Sequence, residues 1–290
     1  MKAFVASGGA SKGQYLIGAL DYLLREKAVT YSIYSGVSIG ALVCGFAAQY
    51  KDGEEDQLLA DITNLSLSIH TKHVHKRWFL GYLQGLWKTG ARNSSPLRGF
   101  IRDSIDPAKL KASGKALRVG TTKLSGKPSD PFVIFTEKSP YIQQAIMAST
   151  ALSPILEAVE IEGEWFVDGG FQSPTPIKAA IEAGATEIDV VLCYPSKMSN
   201  FEYGRKLTTV DILKREIDLA IHKLAWLEIY QVKATNKLVL AGLASDKKYI
   251  KLNIICPKEE LNVDSMKFDP EDAKRLQAQG FHDAKEYFSF

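Results

Sequence analysis

Five residues, Gly36-Val37-Ser38-Ile39-Gly40, lie between a β-prone run, Thr30 to Tyr34, and a run of small apolar residues, Ala41 to Ala48. Strand, tight turn and helix in that order leave the backbone few options. The chain must reverse within a few residues, and the central serine must take a conformation that crowds its neighbours. Glycine at 36 and 40 removes the Cβ atoms that would clash. The helix that follows aims its unbonded N–H groups and the positive end of its dipole at Ser38. A hydroxyl held there is placed for nucleophilic attack, and negative charge forming beside it is stabilised. The same pattern also fits an ordinary turn, so its meaning depends on what else the chain supplies.

A second glycine-rich turn comes first in the chain. Ala3 to Ala6 reads as a short buried strand, and a helix from about Gln14 to Lys27 carries Leu16, Leu20, Leu23 and Leu24 at helical spacing. Between them lies Ser7-Gly8-Gly9-Ala10-Ser11-Lys12-Gly13. Free amides in such a turn bind anions. Lys12 is followed by Gly13 and not by Ser or Thr, which excludes a phosphate P-loop, and Gly8-Gly9-Ala10 departs from the dinucleotide fingerprint. Two readings remain. One is a plain turn. In the other, the amides of Gly8, Gly9, Ala10, Ser11, Lys12 and Gly13 form an oxyanion hole for Ser38, with Lys12 as a nearby cation.

Further on, Leu117 to Thr122 and Phe132 to Thr136 read as strands around a Gly126/Pro128 turn, and Tyr141 to Met147 as a short helix. A small-residue loop, Ala148 to Pro154, leads to a hairpin, Ala158 to Val167, turning at Glu162-Gly163. The hairpin ends in Asp168-Gly169-Gly170. Asp168 closes an apolar strand ahead of two glycines, which suits either an Asp-Gly turn or a carboxylate presented close to another backbone. A helix, Thr175 to Ala183, and a strong strand, Glu187 to Tyr194, follow. Strands alternating with helices imply an α/β fold, a three-layer α/β/α sandwich with a mostly parallel central sheet, over residues 1–195. Residues 196–290 read as a mainly helical C-terminal extension packed on that core. It holds a helix from Leu207 to Leu243, one late strand, Lys251 to Pro257, and a last helix starting near Glu271.

Composition narrows the function classes. A net charge of +3 over 290 residues lacks the clustered basic stripe of a nucleic-acid binder. Cys44, Cys193 and Cys256 are far apart and odd in number, which fits buried free thiols in a reducing compartment better than disulfides or a metal site. The N-terminus has no signal-peptide hydrophobic stretch and no run reaches a membrane span, so a cytoplasmic protein is expected, with secretion that needs no cleaved signal left open. Between Ile69 and Lys88, three histidines and several cations lead into Trp78, Phe79 and Trp87. That stretch reads either as a core helix with a basic edge or as a segment lying on an anionic lipid surface. His73-x-His75 lacks nearby carboxylates or cysteines to complete a metal site. Of the late histidines, His222 or His282 would keep the chain order of a Ser-Asp-His esterase. Both fall in helical stretches.

Taken together, these motifs resemble the patatin-like phospholipase family. Gly8-Gly9-Ala10-Ser11-Lys12-Gly13 corresponds to its anion loop, Gly36-Val37-Ser38-Ile39-Gly40 to its elbow and Asp168-Gly169-Gly170 to its acid. The blocks Ala148-Ser149-Thr150-Ala151…Pro154 and Thr121…Gly126-Lys127-Pro128 are also similar. The match spans roughly residues 3 to 195. The resemblance implies a Ser–Asp dyad with no histidine, no cofactor and no metal, acting on lipid acyl esters. Ser38 would be the nucleophile, Asp168 its base, and the amides around Gly9 and Ala10 the oxyanion hole. An acyltransferase or a thioesterase would need the same parts. The chain departs from the family pattern at Ala10 in place of the third glycine, at Lys12 in place of arginine, and at Gln172-Ser173 where asparagines are common.

Overall fold

A computed structural model describes residues 1–76, 88–125, 130–199 and 208–289. The first strand, β1 (Lys2–Ala6), sits in the middle of the central sheet and alternates strictly. Ala3 and Val5 point into one apolar core, Phe4 and Ala6 into another. A strand with both faces buried needs apolar residues at every position. The two cores on opposite faces make the three layers expected from the strand–helix alternation.

On one side of β1 runs β2 (Ile33–Val37), parallel and in register from Ala3↔Ile33 to Ala6↔Gly36. The β-prone run suggested a strand over 30–34. The observed strand begins three residues later because pairing with β1 carries it into the glycine motif. Beyond β2 lies β3 (Ala116–Lys123), again parallel, with β4 (Phe132–Thr136) antiparallel to it. A hairpin of β5 (Val159–Ile161) and β6 (Glu164–Asp168) turns at Glu162 and Gly163, both with positive φ, as a two-residue hairpin turn requires. On the other side of β1 lie β7 (Glu187–Val191) and then β8 (Lys251–Ile255), both parallel. The late strand therefore extends the central sheet.

Helices cover both faces. Against the larger core pack α1 (Gln14–Arg25), α2 (Ile39–Ala47), α3 (Glu55–Ser68), a single turn α4 (Thr71–Val74), α5 (Ser95–Ser104), α6 (Pro107–Ala112) and α7 (Ile142–Ser149). On the second face lie α8 (Ile177–Glu182) and part of the long α9 (Thr209–Leu240). The helix α5 starts with Pro96 in its first turn, where the fixed φ of proline suits a helix start. Ser94 holds the cap position, and its hydroxyl is drawn off to the Glu157 carboxylate at 3.1 Å.

The last helix, α10 (Pro270–Ser289), lies directly on α1. A Cβ at Gly18 would fall 1.9 Å from the carbonyl oxygen of Gln277, so glycine alone permits that approach. Residues after 196 thus supply a sheet strand and a core helix. Residues 77–87, with Trp78, Phe79 and Trp87 of the suggested lipid-surface segment, lie outside the described residues, as does the Gly126/Pro128 turn. Among the described residues no helix is long and apolar enough to cross a membrane.

Candidate active site

The C-terminal ends of β1 and β2 open into one cleft, where ligands of open parallel sheets bind. At the end of β2 the chain reverses at Ser38, with φ 57 and ψ −131. A non-glycine residue in that region is strained by about 1–3 kcal/mol. Two neighbours make the turn possible. A Cβ at Gly36 would meet the Gly40 carbonyl oxygen at 2.3 Å, and a Cβ at Gly40 would meet the Ala6 carbonyl oxygen at 2.4 Å. Both obstacles are backbone and cannot swing aside. Gly36→Ala and Gly40→Ala are each expected to destabilise the fold by about 3 kcal/mol through overpacking. Denaturant melts of the two variants matching the parent would contradict this.

The turn is held by a partner that motif reading alone does not single out. The Ser38 amide donates to the Ser149 hydroxyl at 2.9 Å, and that hydroxyl donates to the Gly120 carbonyl of β3 at 2.6 Å. Ser149 lies in the Ala148-Ser149-Thr150-Ala151 block, which the sequence resemblance brings forward without giving it a task.

Sheet register explains why Asp168 arrives at the same place. β2 pairs with β3 as far as Val37↔Gly120. At the next residue of β3 the pairing passes to β6, as Thr121↔Asp168. The chain leaves β2 at Ser38, and β6 enters the vacated position with Asp168 at its end. The Asp168 amide donates to the Ala151 carbonyl at 3.1 Å, and its own carbonyl accepts from the Thr122 hydroxyl at 3.0 Å. Its carboxylate accepts from the Gly170 amide at 2.8 Å. Burial pushes the Asp168 carboxyl up to about 6, and the nearby Ser38 side chain and the Gly170 amide offset part of that rise.

The glycine loop divides by function. The Gly8 amide donates to the Pro174 carbonyl, the Ser11 amide to the Ser265 carbonyl and the Lys12 amide to the Gly9 carbonyl. Gly13 packs against Ile39, where a Cβ would strike the side chain at 2.2 Å. Of the six loop amides considered for an oxyanion, those of Gly9 and Ala10 meet no acceptor among the described residues, and both residues line the cleft. Ala10 holds φ 52, the left-handed conformation that glycine adopts freely. Lys12 is buried, with Nζ 5.2 Å from the centre of the Tyr194 ring. Gly169 is packed against the Gly120 carbonyl, where a Cβ would sit 2.7 Å away, and Gly170 serves Asp168 through its amide.

The cleft measures about 1170 Å³ with its solvent-open mouth included. Ser38, Asp168, Gly9 and Ala10 lie in its wall with an apolar majority that includes Leu97, Phe100, Leu152, Leu156, Ile217 and Phe268. Ile217, Asp218 and Ile221 come from α9, and Ser265, Met266 and Phe268 from the loop before α10, so the C-terminal region completes the site. Glu228 of α9 accepts from the Thr175 amide at 2.8 Å and from the Ser173 hydroxyl, which secures the loop behind Asp168. Neither late histidine reaches the cleft. His222 Nε2 lies 3.0 Å from the Pro195 carbonyl oxygen, and His282 is exposed beside Asp283 and Glu286. His73 does line the cleft, and its Nδ1 accepts from the His70 amide at 3.2 Å.

A family model described as patatin-like phospholipase matches residues 4–181, more than half of the chain. A probable lipid hydrolase, 463L, of Invertebrate iridescent virus 6 is 24% identical over 186 residues, 62% of this chain and 63% of the relative. The chain therefore covers less than two thirds of that relative's length. VipD from Legionella pneumophila, a solved structure, aligns with 99% of this chain and 66% of its own, at 15% identity and a TM-score of 0.48. The chain belongs to the patatin-like phospholipase family.

Proposed function

We propose that the protein is a lipid acyl hydrolase that cleaves carboxylic esters through Ser38 and Asp168. The observation that carries this reading is a strained serine in the wall of an apolar cleft, with its side chain near enough to a buried carboxylate to lower that group's pKa. Asp168 takes the Ser38 proton as the hydroxyl oxygen attacks the ester carbonyl. A carboxylate with an ordinary pKa is a poor base. One raised to about 6 by burial is still ionised at neutral pH and accepts a proton more readily. The tetrahedral oxyanion is placed at the Gly9 and Ala10 amides and at the N-terminus of α2, where each donor is worth about 3 kcal/mol. The carbonyl re-forms as the alcohol leaves with a proton from Asp168. Water activated by the same carboxylate then releases the acyl group from Ser38. Family membership and the viral relative described as a probable lipid hydrolase support a lipid ester as the substrate class.

The base assignment predicts a pH profile. Asp168 must be ionised in the free enzyme, so kcat/KM is expected to be flat at neutral pH and to fall about tenfold per pH unit below about 6. A histidine base would give a similar limb, so the profile is measured for His73→Gln, His222→Gln and His282→Gln as well. An acid limb that disappears in any of these variants would transfer the role of base to that histidine. Substrate class is tested on phospholipids, neutral glycerides and acyl thioesters side by side. Labelling by a fluorophosphonate probe, lost in Ser38→Ala, reports the nucleophile independently of substrate.

A further inference from the structure

The main cleft has a neighbour that the proposed chemistry leaves unassigned. A second pocket, about 400 Å³ when its solvent-open mouth is included, lies between α1, α2, α3 and α5. It shares five wall residues with the main cleft: Gln14, Ile39, Leu42, Ile69 and Phe100. Its remaining surface is largely apolar, with Val43 and Phe46 from α2 and Ile62 from α3, each almost fully buried. The polar side chains in it already have partners. Gln277 Nε2 donates both to the Gln14 side-chain Oε1 at 2.9 Å and to the Ser66 hydroxyl at 2.7 Å, and that hydroxyl donates to the Thr63 backbone carbonyl. A ligand in this lobe meets mostly hydrocarbon, since the Gln14 side-chain oxygen and the Ser66 hydroxyl are already engaged.

The lobe also has a direction. Ser38 stands at the N-terminus of α2, and Ile39, Leu42, Val43 and Phe46 descend the same helix. At 1.5 Å per residue, Phe46 lies about 12 Å along the axis from the nucleophile. Past Phe46 and Leu65 the surroundings turn polar, in a cleft walled by Gln49, Tyr50, Asp61 and Asn64, where the Tyr50 hydroxyl donates to Asp61 at 2.7 Å. A hydrocarbon chain entering from Ser38 finds apolar walls as far as Phe46 and ionised or hydrogen-bonded groups beyond.

We propose that this lobe along α2 is the acyl-chain site, that it takes the fatty-acyl side of the ester, and that Phe46 and Ile62 set a preference for medium-length chains. The inference rests on the Ser38 reading above. Its test is a series of p-nitrophenyl esters from butyrate to palmitate. With the whole protein, kcat/KM is expected to rise about fourfold per methylene, as burial of each one predicts, and then to level off or fall at medium length. Ile62→Phe fills the lobe and is expected to lower the decanoate-to-butyrate ratio of kcat/KM about tenfold. Phe46→Ala opens the far end and is expected to move the maximum to longer chains. These ratios do not depend on the fraction of protein folded, and the second variant decides the matter if the first does not fold. A rising series with ratios unchanged in both variants overturns the lobe, as does a wild-type series without chain-length dependence, while the Ser38 reading stands. A wild-type protein that hydrolyses none of the series overturns that reading and the lobe with it.

Discussion

Ser38→Ala is expected to lower ester turnover by about 10⁴- to 10⁶-fold, the range seen when a catalytic nucleophile is removed. The variant should fold. Its backbone amide still donates to Ser149, and alanine accepts the positive φ at much the same strain as serine. The lost hydroxyl was one of the two groups lowering the Asp168 pKa, so that carboxyl should titrate higher in the variant than in the parent. Circular dichroism and thermal melts check the fold, and the ester assay checks the chemistry. Turnover retained within tenfold in a folded Ser38→Ala protein would remove Ser38 from the mechanism.

Asp168→Asn should lose about 10²- to 10⁴-fold in kcat, the usual contribution of a positioned general base, and should also gain stability. The folded-state pKa of about 6 lies above the ordinary aspartate value of 3.8. Between those two values the native state binds more protons than the unfolded chain, so stability falls as pH rises through that window. Above about pH 6 the full penalty is present. Two pKa units correspond to about 3 kcal/mol. Asparagine keeps the shape and the acceptor for the Gly170 amide but carries no charge to desolvate. The variant should therefore be more stable than the parent at pH 7 by up to about 3 kcal/mol, with the advantage shrinking below pH 6 and gone near pH 4. Superimposable denaturant melts at pH 7 would show that burial does not penalise this carboxylate. A site residue that raises stability when neutralised is what a trade between stability and activity predicts.

Both expectations concern side chains 130 positions apart in the chain, and they differ in how much of their setting is readable from local sequence. Gly36, Ser38 and Gly40 announce themselves, because a sharp strand-to-helix turn needs missing Cβ atoms within a five-residue window. Asp168 is visible as the end of an apolar strand before two glycines. Its nearness to Ser38 is not, since it depends on β3 exchanging one partner for another between Gly120 and Thr121. Ser149 shows the same limit: a serine in a small-residue loop gives no sign that its hydroxyl bridges two strands. The loop from Gly8 to Gly13 is legible as an anion site by composition. Which amides remain open depends on the carbonyls of Pro174 and Ser265 taking two of them, and Ser265 lies more than 250 residues away.

The C-terminal third shows this most plainly. Its helices and late strand can be read from periodicity, but their place cannot. β8 joins the sheet beside β7, α10 lies on α1 at Gly18, and α9 lends Ile217 and Ile221 to the cleft. Sequence by itself determined the turns, the alternation of strand and helix, and the chemical types at the site, because these follow from backbone sterics and side-chain pattern over a few contiguous residues. Tertiary structure alone decided which groups meet, which amides stay free and how far Asp168 is buried. Strand register and desolvation are set by contacts between segments distant in the chain.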